Sequence, residues 1–381
     1  LDKAGKAFEF EDLTPMRPIV SYCDKLSHIG ALALIAASGQ AVAMTPTSPP
    51  LSPLIVIAHR GASGLRPEHT LAAYSLAIDQ GADFIEPDLV PTKDDVLVAR
   101  HENAIAETTD VADHPEFAAR KTTKTIDGQV LTGWFVEDFT LAELKTLRAK
   151  ERLPKLRPAN TAYDGQFQIP TLAEIIALAK RRSTETGRTI GIYPETKHPT
   201  YFAKIGHPTD AKLVAELREA GWDSAKAPVF IQSFEVANLK RLHTMTKVRL
   251  IQLMDGEGAP ADGAQPSYKA MITSEGLKAV AAYAYGIGPN KSMLWNDAAP
   301  TTLVADAHAA GLRVHPWTYR AENYFEPERF RHGTDPATHG DIAAEIDSAI
   351  AQGIDGFFTD FPLYGAQARG RAQETARAGV K

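Results

Sequence analysis

The chain has 381 residues, 44% apolar and 23% charged, and 41 Lys and Arg against 47 Asp and Glu leave a net charge of −6. That balance belongs to a globular protein of one large or two average domains and excludes a disordered chain or a multi-pass membrane protein. No Lys/Arg run could track a phosphate backbone, so nucleic acid is not an expected partner, and the single cysteine, Cys23, excludes an intrachain disulfide and a multi-cysteine zinc site.

Arg17 and Lys25 precede an apolar run, Ile29–Ala37, and Ala41-Val42-Ala43 then supplies a small-x-small pattern. Basic, apolar and cleavage regions in that order make residues 16–43 a secretory signal peptide, with a core too short to span a membrane. The protein is therefore expected in the periplasm or secreted, with no stable membrane insertion after signal cleavage. Met16 is the natural start, and residues 1–15 read as an extraneous stretch or a misplaced start. Residues 44–53, rich in Pro, Ser and Thr, form a flexible leader.

Leu54–Ala58 is the first buried strand, and Thr70 caps a helix over Leu71–Gln80 that Gly81 ends. Phe84–Val90 is the second strand. Val96–Arg100 follows after only Pro91–Asp95, too short for a parallel crossover, and is a hairpin arm or an extended excursion. Residues 102–168 are polar and weakly periodic. A structureless loop of that length is against expectation, so they form a small cap inserted beside the mouth of the domain. Thr140 and Thr171, each followed three positions later by Glu, open helices with capping boxes. Further strands fall at Thr189–Tyr193, Val229–Ser233, Val248–Leu253, Tyr285–Gly288, Leu312–Thr318 and Gly356–Thr359, with helical patterns between them. Repeated strand–helix units imply a parallel sheet, closed into a barrel or left open. The domain is expected to span 54–366, with a tail at 367–381.

Polar residues gather where the strands end. These ends carry His59-Arg60-Gly61, Glu86-Pro87-Asp88, His101-Glu102, Glu195-Thr196-Lys197, Gln232-Ser233-Phe234, Trp317-Thr318 and Thr359-Asp360. Catalytic groups at C-terminal strand ends are the arrangement of TIM-barrel enzymes. Glu86 and Asp88 are two apart and share one face of a straight strand. Side by side they repel unless a cation lies between them, and Glu195 adds a third carboxylate. An all-oxygen set suits calcium or magnesium rather than zinc. The bland reading is buried acids satisfied by a barrel cation such as Lys197. His59 and His101 suit paired acid–base work, one removing a proton and the other delivering one. Arg60 and Lys197 fit an anionic substrate, though an arginine–carboxylate pair is the alternative. Gly61 and Gly64 let the backbone come close after the first strand. Phe234 and Trp317 serve barrel packing or line a small alcohol pocket.

The ordered set His59-Arg60-Gly61-Ala62-Ser63-Gly64, Pro67-Glu68-His69-Thr70, Gly81-Ala82-Asp83, Glu86-x-Asp88 and Thr92-Lys93-Asp94-Asp95 leading to His101 resembles the glycerophosphodiester phosphodiesterase family. Gly191-Ile192-Tyr193-Pro194-Glu195-x-Lys197, Gln232-x-Phe234, Gly286-Ile287-Gly288-Pro289, Val314-His315-Pro316-x-Thr318 and Gly356-x-Phe358-Thr359-Asp360-Phe361-Pro362 are similar to its periplasmic branch. The resemblance implies an α/β fold, a TIM (β/α)8 barrel with a small cap insertion after the second or third strand. It also implies a divalent cation, calcium ahead of magnesium, and hydrolysis of glycerophosphodiesters such as glycerophosphocholine to sn-glycerol 3-phosphate and an alcohol. By position Glu86, Asp88 and Glu195 match the metal ligands, His59 and His101 the acid–base pair, Arg60 the phosphate contact and Lys197 a second one. Two departures stand out. His69 replaces a common Asn, leaving it a helix-start or supporting group, and Glu102 replaces the usual Asp, leaving open which group orients His101. The nucleophile is the glycerol 2-hydroxyl or a water. The rival readings are a phospholipase D-like enzyme on the same barrel and a non-catalytic periplasmic glycerophosphoester-binding protein.

Overall fold

The computed structural model describes residues 54–378, so the expected signal peptide at 16–43, the stretch 1–15 and the leader 44–53 lie outside the described residues. Its strands are β1 (Ile55–His59), β2 (Phe84–Glu86), β3 (Asp88–Pro91), β4 (Leu97–Ala99), β5 (Thr122–Ile126), β6 (Gln129–Gly133), β7 (Gly191–Ile192) and β8 (Glu195–Thr196). Then come β9 (Phe230–Ser233), β10 (Arg249–Met254), β11 (Gly286–Pro289), the short pair β12 (Trp295–Asn296) and β13 (Ala299–Pro300), β14 (Arg313–Val314) and β15 (Gly356–Thr359).

β1 pairs in parallel with β15 and β2, and β2 with β7. β8 pairs with β9, β9 with β10, β10 with β11 and β11 with β14, again all parallel. Beyond β14 the chain stays extended, and the Phe358 N–H donates to the Pro316 carbonyl at 3.0 Å while Tyr319 bridges Thr359 of β15. That step closes the ring. With β2 and β3 counted as one stave and β7 and β8 as another, eight parallel staves surround the core among the described residues. The expected barrel is present.

The second and fourth runs differ from expectation. Each is split by a proline, Pro87 or Pro194, that cannot donate to a ladder. Before the split, β2 and β7 belong to the sheet with β1 and β15; after it, β3 and β8 join the sheet running to β14. β4 is the hairpin arm, antiparallel to β3.

Side chains alternate along the staves. Ile57, Tyr193, Phe230, Ile251 and Phe358 fill the interior, with Tyr193 and Phe230 stacked at 4.9 Å. Their neighbours Val56, Ala58, Leu250 and Phe357 join the larger cluster under the helices. The helix Leu71–Asp79 begins where Thr70 accepts from the Ala73 N–H, and both expected capping boxes, at Thr140 and Thr171, form. The cap has its own core, Ile105, Val111, Phe117, Trp134, Val136, Phe139, Leu144 and Leu147, resting on Val90 and Val98. Its β5–β6 hairpin turns through Asp127 and Gly128 at φ +48° and +83°, the double left-handed turn that suits a two-residue loop. The last helix, Pro362–Ala378, runs unbroken past residue 366, where a tail was expected, with Ala368 buried and Arg369 paired with Asp83. Among the described residues no helix is long and apolar enough to cross a membrane.

Candidate active site

The pleat that ends at Pro87 brings three acids together. Register sets His59 beside Glu86, Asp88 beside Glu195 and Glu195 beside Gln232, so neighbouring stave ends present their side chains at one rim. Glu86, Asp88 and Glu195 are buried, and each offers an oxygen within 4.8 Å of the other two. Glu86 accepts from the Arg60 N–H at 2.8 Å and from Gln232 Nε2 at 3.2 Å. Asp88 Oδ2 is 2.9 Å from His69 Nε2, whose Nδ1 meets the Tyr74 hydroxyl at 2.8 Å. His69 is thus a support for Asp88. Asp88 Oδ1 and Gln232 Oε1 are buried with no protein partner.

Burial and the neighbouring Asp88 and Glu195 push Glu86 well above the ordinary carboxyl range. Burial, with Asp88 adding to it and Lys197 opposing, lifts Glu195 to about 8. Against its own burial, Asp88 is held well below its ordinary value by the His69 hydrogen bond and the Lys197 charge. Three carboxylates in so dry a space repel one another, and the one nearby lysine, 3.1 Å from Glu195, leaves Asp88 Oδ1 unanswered. Orphaned buried oxygens facing a carboxylate cluster fit a hard divalent cation with oxygen ligands.

Each expected histidine stands at this rim with a carboxylate behind it. His59 Nδ1 is 2.6 Å from Asp360 Oδ1, and its side chain is 12% exposed. His101 Nδ1 is 3.0 Å from Glu102 Oε1, with 29% exposure. Glu102 therefore answers which group orients His101. Both rings present Nδ1 to a carboxylate and turn Nε2 away from it, and at His101 that second nitrogen lies 3.4 Å from Lys197 Nζ. Burial, then the charge of Arg60, lowers His59 to about 4; burial, Arg60 and Lys197 lower His101 to about 3. Asp360 and Glu102 oppose these shifts, and each is itself held by a cation. Asp360 Oδ2 accepts from Arg157 Nη2 at 2.5 Å and from Arg320 Nε at 3.0 Å. Glu102 Oε2 is 3.0 Å from His198 Nε2.

Arg60 sits in the left-handed region at φ +59°. Its Nη1 donates to both oxygens of Glu68, at 3.2 and 3.1 Å, while Nε, 3.5 Å from Asp88, lacks a hydrogen-bond partner. Lys197 Nζ lies 3.1 Å from Glu195 and 3.4 Å from His101 Nε2, joining histidine to acid cluster. Gly61 at φ +85° passes so close to Ala73 that a Cβ would lie 2.6 Å from its carbonyl carbon. Phe234 and Trp317 are half-buried and meet edge to face at 5.7 Å, with the indole N–H on the Gly288 carbonyl at 2.9 Å.

All nine expected site residues thus fall at one end of the barrel. His198, Asp127, Arg157 and Arg320 were not singled out, and Glu68, Gln232 and Asp360 only as motif letters or strand ends without a role. The strand-end position and the motif were the available signals for Gln232 and Asp360. Nothing local marks Arg157, which lies in the cap and reaches an aspartate 203 positions away.

The chain matches the Glycerophosphoryl diester phosphodiesterase family over residues 59–364. It is 38% identical over 328 residues to glycerophosphodiester phosphodiesterase GDPD6 of Arabidopsis thaliana, covering 80% of this chain and 83% of the relative. It is 31% identical over 346 residues to a glycerophosphodiester phosphodiesterase of Haemophilus influenzae, covering 82% and 89%. A glycerophosphodiester phosphodiesterase structure from Agrobacterium tumefaciens matches with a TM-score of 0.53 at 20% identity, over 82% of this chain and 99% of that one. An Oleispira antarctica phosphodiesterase in complex with the product sn-glycerol-3-phosphate matches with a TM-score of 0.55 at 22% identity, over 84% and 96%. At these identities the two structures carry the fold alone.

Proposed function

The chain belongs to the glycerophosphoryl diester phosphodiesterase family and is a glycerophosphodiester phosphodiesterase; from that premise we propose that it hydrolyses its substrates by paired-histidine catalysis beside a divalent cation on Glu86, Asp88 and Glu195. The observation that carries the reading is the convergence of two carboxylate-backed histidines on the three buried acids, linked by Lys197. A non-catalytic binding protein needs no such pair. A cation on the trio supplies Lewis-acid stabilisation of developing charge.

The chain's own groups do the rest. Lys197 and the unpartnered Nε of Arg60 neutralise the phosphoryl group. His101, its Nδ1 proton fixed by Glu102, takes a proton from the attacking oxygen at Nε2, where Lys197 Nζ lies 3.4 Å away. His59, protonated from solvent and held as the imidazolium by Asp360, gives its Nε2 proton to the leaving alcohol, and His101 releases its own to solvent, so both rings return to their starting forms. Phe234 and Trp317 wall the alcohol end, and an alcohol such as choline suits that aromatic lining. Calcium is the favoured ion, magnesium the second choice. The signal-like residues 16–43 support export to the periplasm.

Purified protein incubated with glycerophosphocholine and calcium should release sn-glycerol 3-phosphate and choline. Release that persists after exhaustive chelation removes the cation. Full turnover in His59→Ala or His101→Ala removes the histidine pair. Turnover of intact lysolipid instead of glycerophosphocholine moves the enzyme to the phospholipase D-like class.

A further inference from the structure

A line of four side chains runs from the tip of the cap hairpin to the reacting edge of His101. Asp127 Oδ2 lies 2.6 Å from His198 Nδ1, His198 Nε2 lies 3.0 Å from Glu102 Oε2, and Glu102 Oε1 lies 3.0 Å from His101 Nδ1. Each carboxylate oxygen of Glu102 thus faces one imidazole, and both nitrogens of His198 face carboxylates.

Several features set this apart from a chance surface pair. His198 holds a left-handed backbone, φ +44° and ψ +45°, directly before Pro199, where the helical regions are disfavoured. The two carboxylates pin its ring on either side. The hairpin is itself docked, with Ile126 buried and Lys124 Nζ 2.9 Å from Glu137 and 2.8 Å from Asp138. Asp127 occupies a turn position that demands a left-handed residue, so its carboxylate is delivered at a defined place. His198 carries a side chain only 14% exposed between Glu102 and Asp127.

A carboxylate bonded to His101 alone can rotate about its own axis. One also bonded to a ring fixed from its far side cannot. We propose that Asp127 is a positioning residue for His101, acting through His198 and Glu102, so that seating of the β5–β6 hairpin is a condition of full turnover. The inference rests on the reading of His101 as catalytic.

The test uses Asp127→Gly, which removes the carboxylate and keeps the left-handed turn, and Asp127→Asn, which keeps both the turn and an acceptor. D127G should lower kcat about tenfold with KM changed by less than about twofold, and D127N should recover most of the loss. His198→Asn, in a residue that tolerates its left-handed backbone, should lower kcat comparably, and the D127G/H198N double variant should lose no more than H198N alone. Wild-type kcat in D127G, a loss confined to KM, or additive losses in the double variant would each overturn the relay. If D127G melts early, H198N against wild type decides by the same split of kcat from KM. H101A separates the two levels: inactive H101A with a wild-type D127G sinks the relay alone, whereas a fully active H101A sinks the reading of His101 and the relay with it.

Discussion

Replacing Asp360 by asparagine removes one charge from behind His59 while keeping the side chain's shape. In the wild-type chain Asp360 Oδ1 sits 2.6 Å from His59 Nδ1, and its other oxygen gathers Arg157 and Arg320. A hydrogen bond to a charged group is worth about 1.5–3 kcal/mol, and all of it bears on the imidazolium formed during turnover. Converted at about 1.4 kcal/mol per decade, kcat should fall about 10- to 150-fold. The loss is larger if the amide turns its NH2 to the ring and forces the other tautomer. Stability should fall less than in a typical broken buried pair, because Arg157 keeps Glu322 at 2.6 Å. A loss of about 1–3 kcal/mol follows, against about 3–5 kcal/mol for a fully orphaned charge. Release of glycerol 3-phosphate measures kcat, and urea unfolding measures stability. The double variant H59A/D360N should be no slower than H59A, since Asp360 works through the ring it holds. A folded D360N with kcat within about twofold of wild type, or a double variant much slower than H59A, refutes this account.

Chelation should abolish turnover, with calcium restoring it at lower concentration than magnesium, and Glu195→Gln should raise the cation concentration needed for half-maximal rate; a steady-state titration reads both. His69→Phe removes the donor on Asp88 Oδ2, and cation affinity by calorimetry should drop about 10- to 100-fold while turnover recovers at saturating cation. Against burial, its bonds to Asp127 and Glu102 raise His198 to about 10 in the folded chain. A group raised on folding stabilises fully below its unfolded value near 6.5 and loses that effect as pH rises through the folded one. The melting-temperature advantage of wild type over H198N should therefore shrink between about pH 6.5 and 10, and an advantage that grows across that window would refute the assignment.

The candidate site was readable because a barrel strand is apolar until it reaches the mouth, so a polar residue at the end of the run announces itself. His59, Glu86, His101 and Glu195 all do this. The partners that hold them do not. His59 and Asp360 are 301 positions apart, and only closure of the ring makes them neighbours. Arg157 and Asp127 lie in a polar insertion whose periodicity carries no facing information, and their side chains resemble any solvated charge. Pro87 and Pro194 were visible as letters, yet their effect is topological, since a missing donor changes which strand comes next. His69 was noticed at the helix start, but its link to Asp88 depends on the loop after Gly61 returning the His69 N–H to the Arg60 carbonyl at 3.1 Å. No helix was read at the C-terminus because past residue 366 only Ala368 is buried and residues 373–378 are all exposed, so no apolar stripe marks it.

The two proline forks have a mechanical consequence. Glu86 closes the strand that belongs to the smaller sheet, while Asp88 and Glu195 open strands of the larger one. An ion gripped by all three would rivet two halves of the cylinder across their seam. Loading would then be felt by the whole scaffold as resistance to shear, and the chemistry and the architecture would share a single fastening.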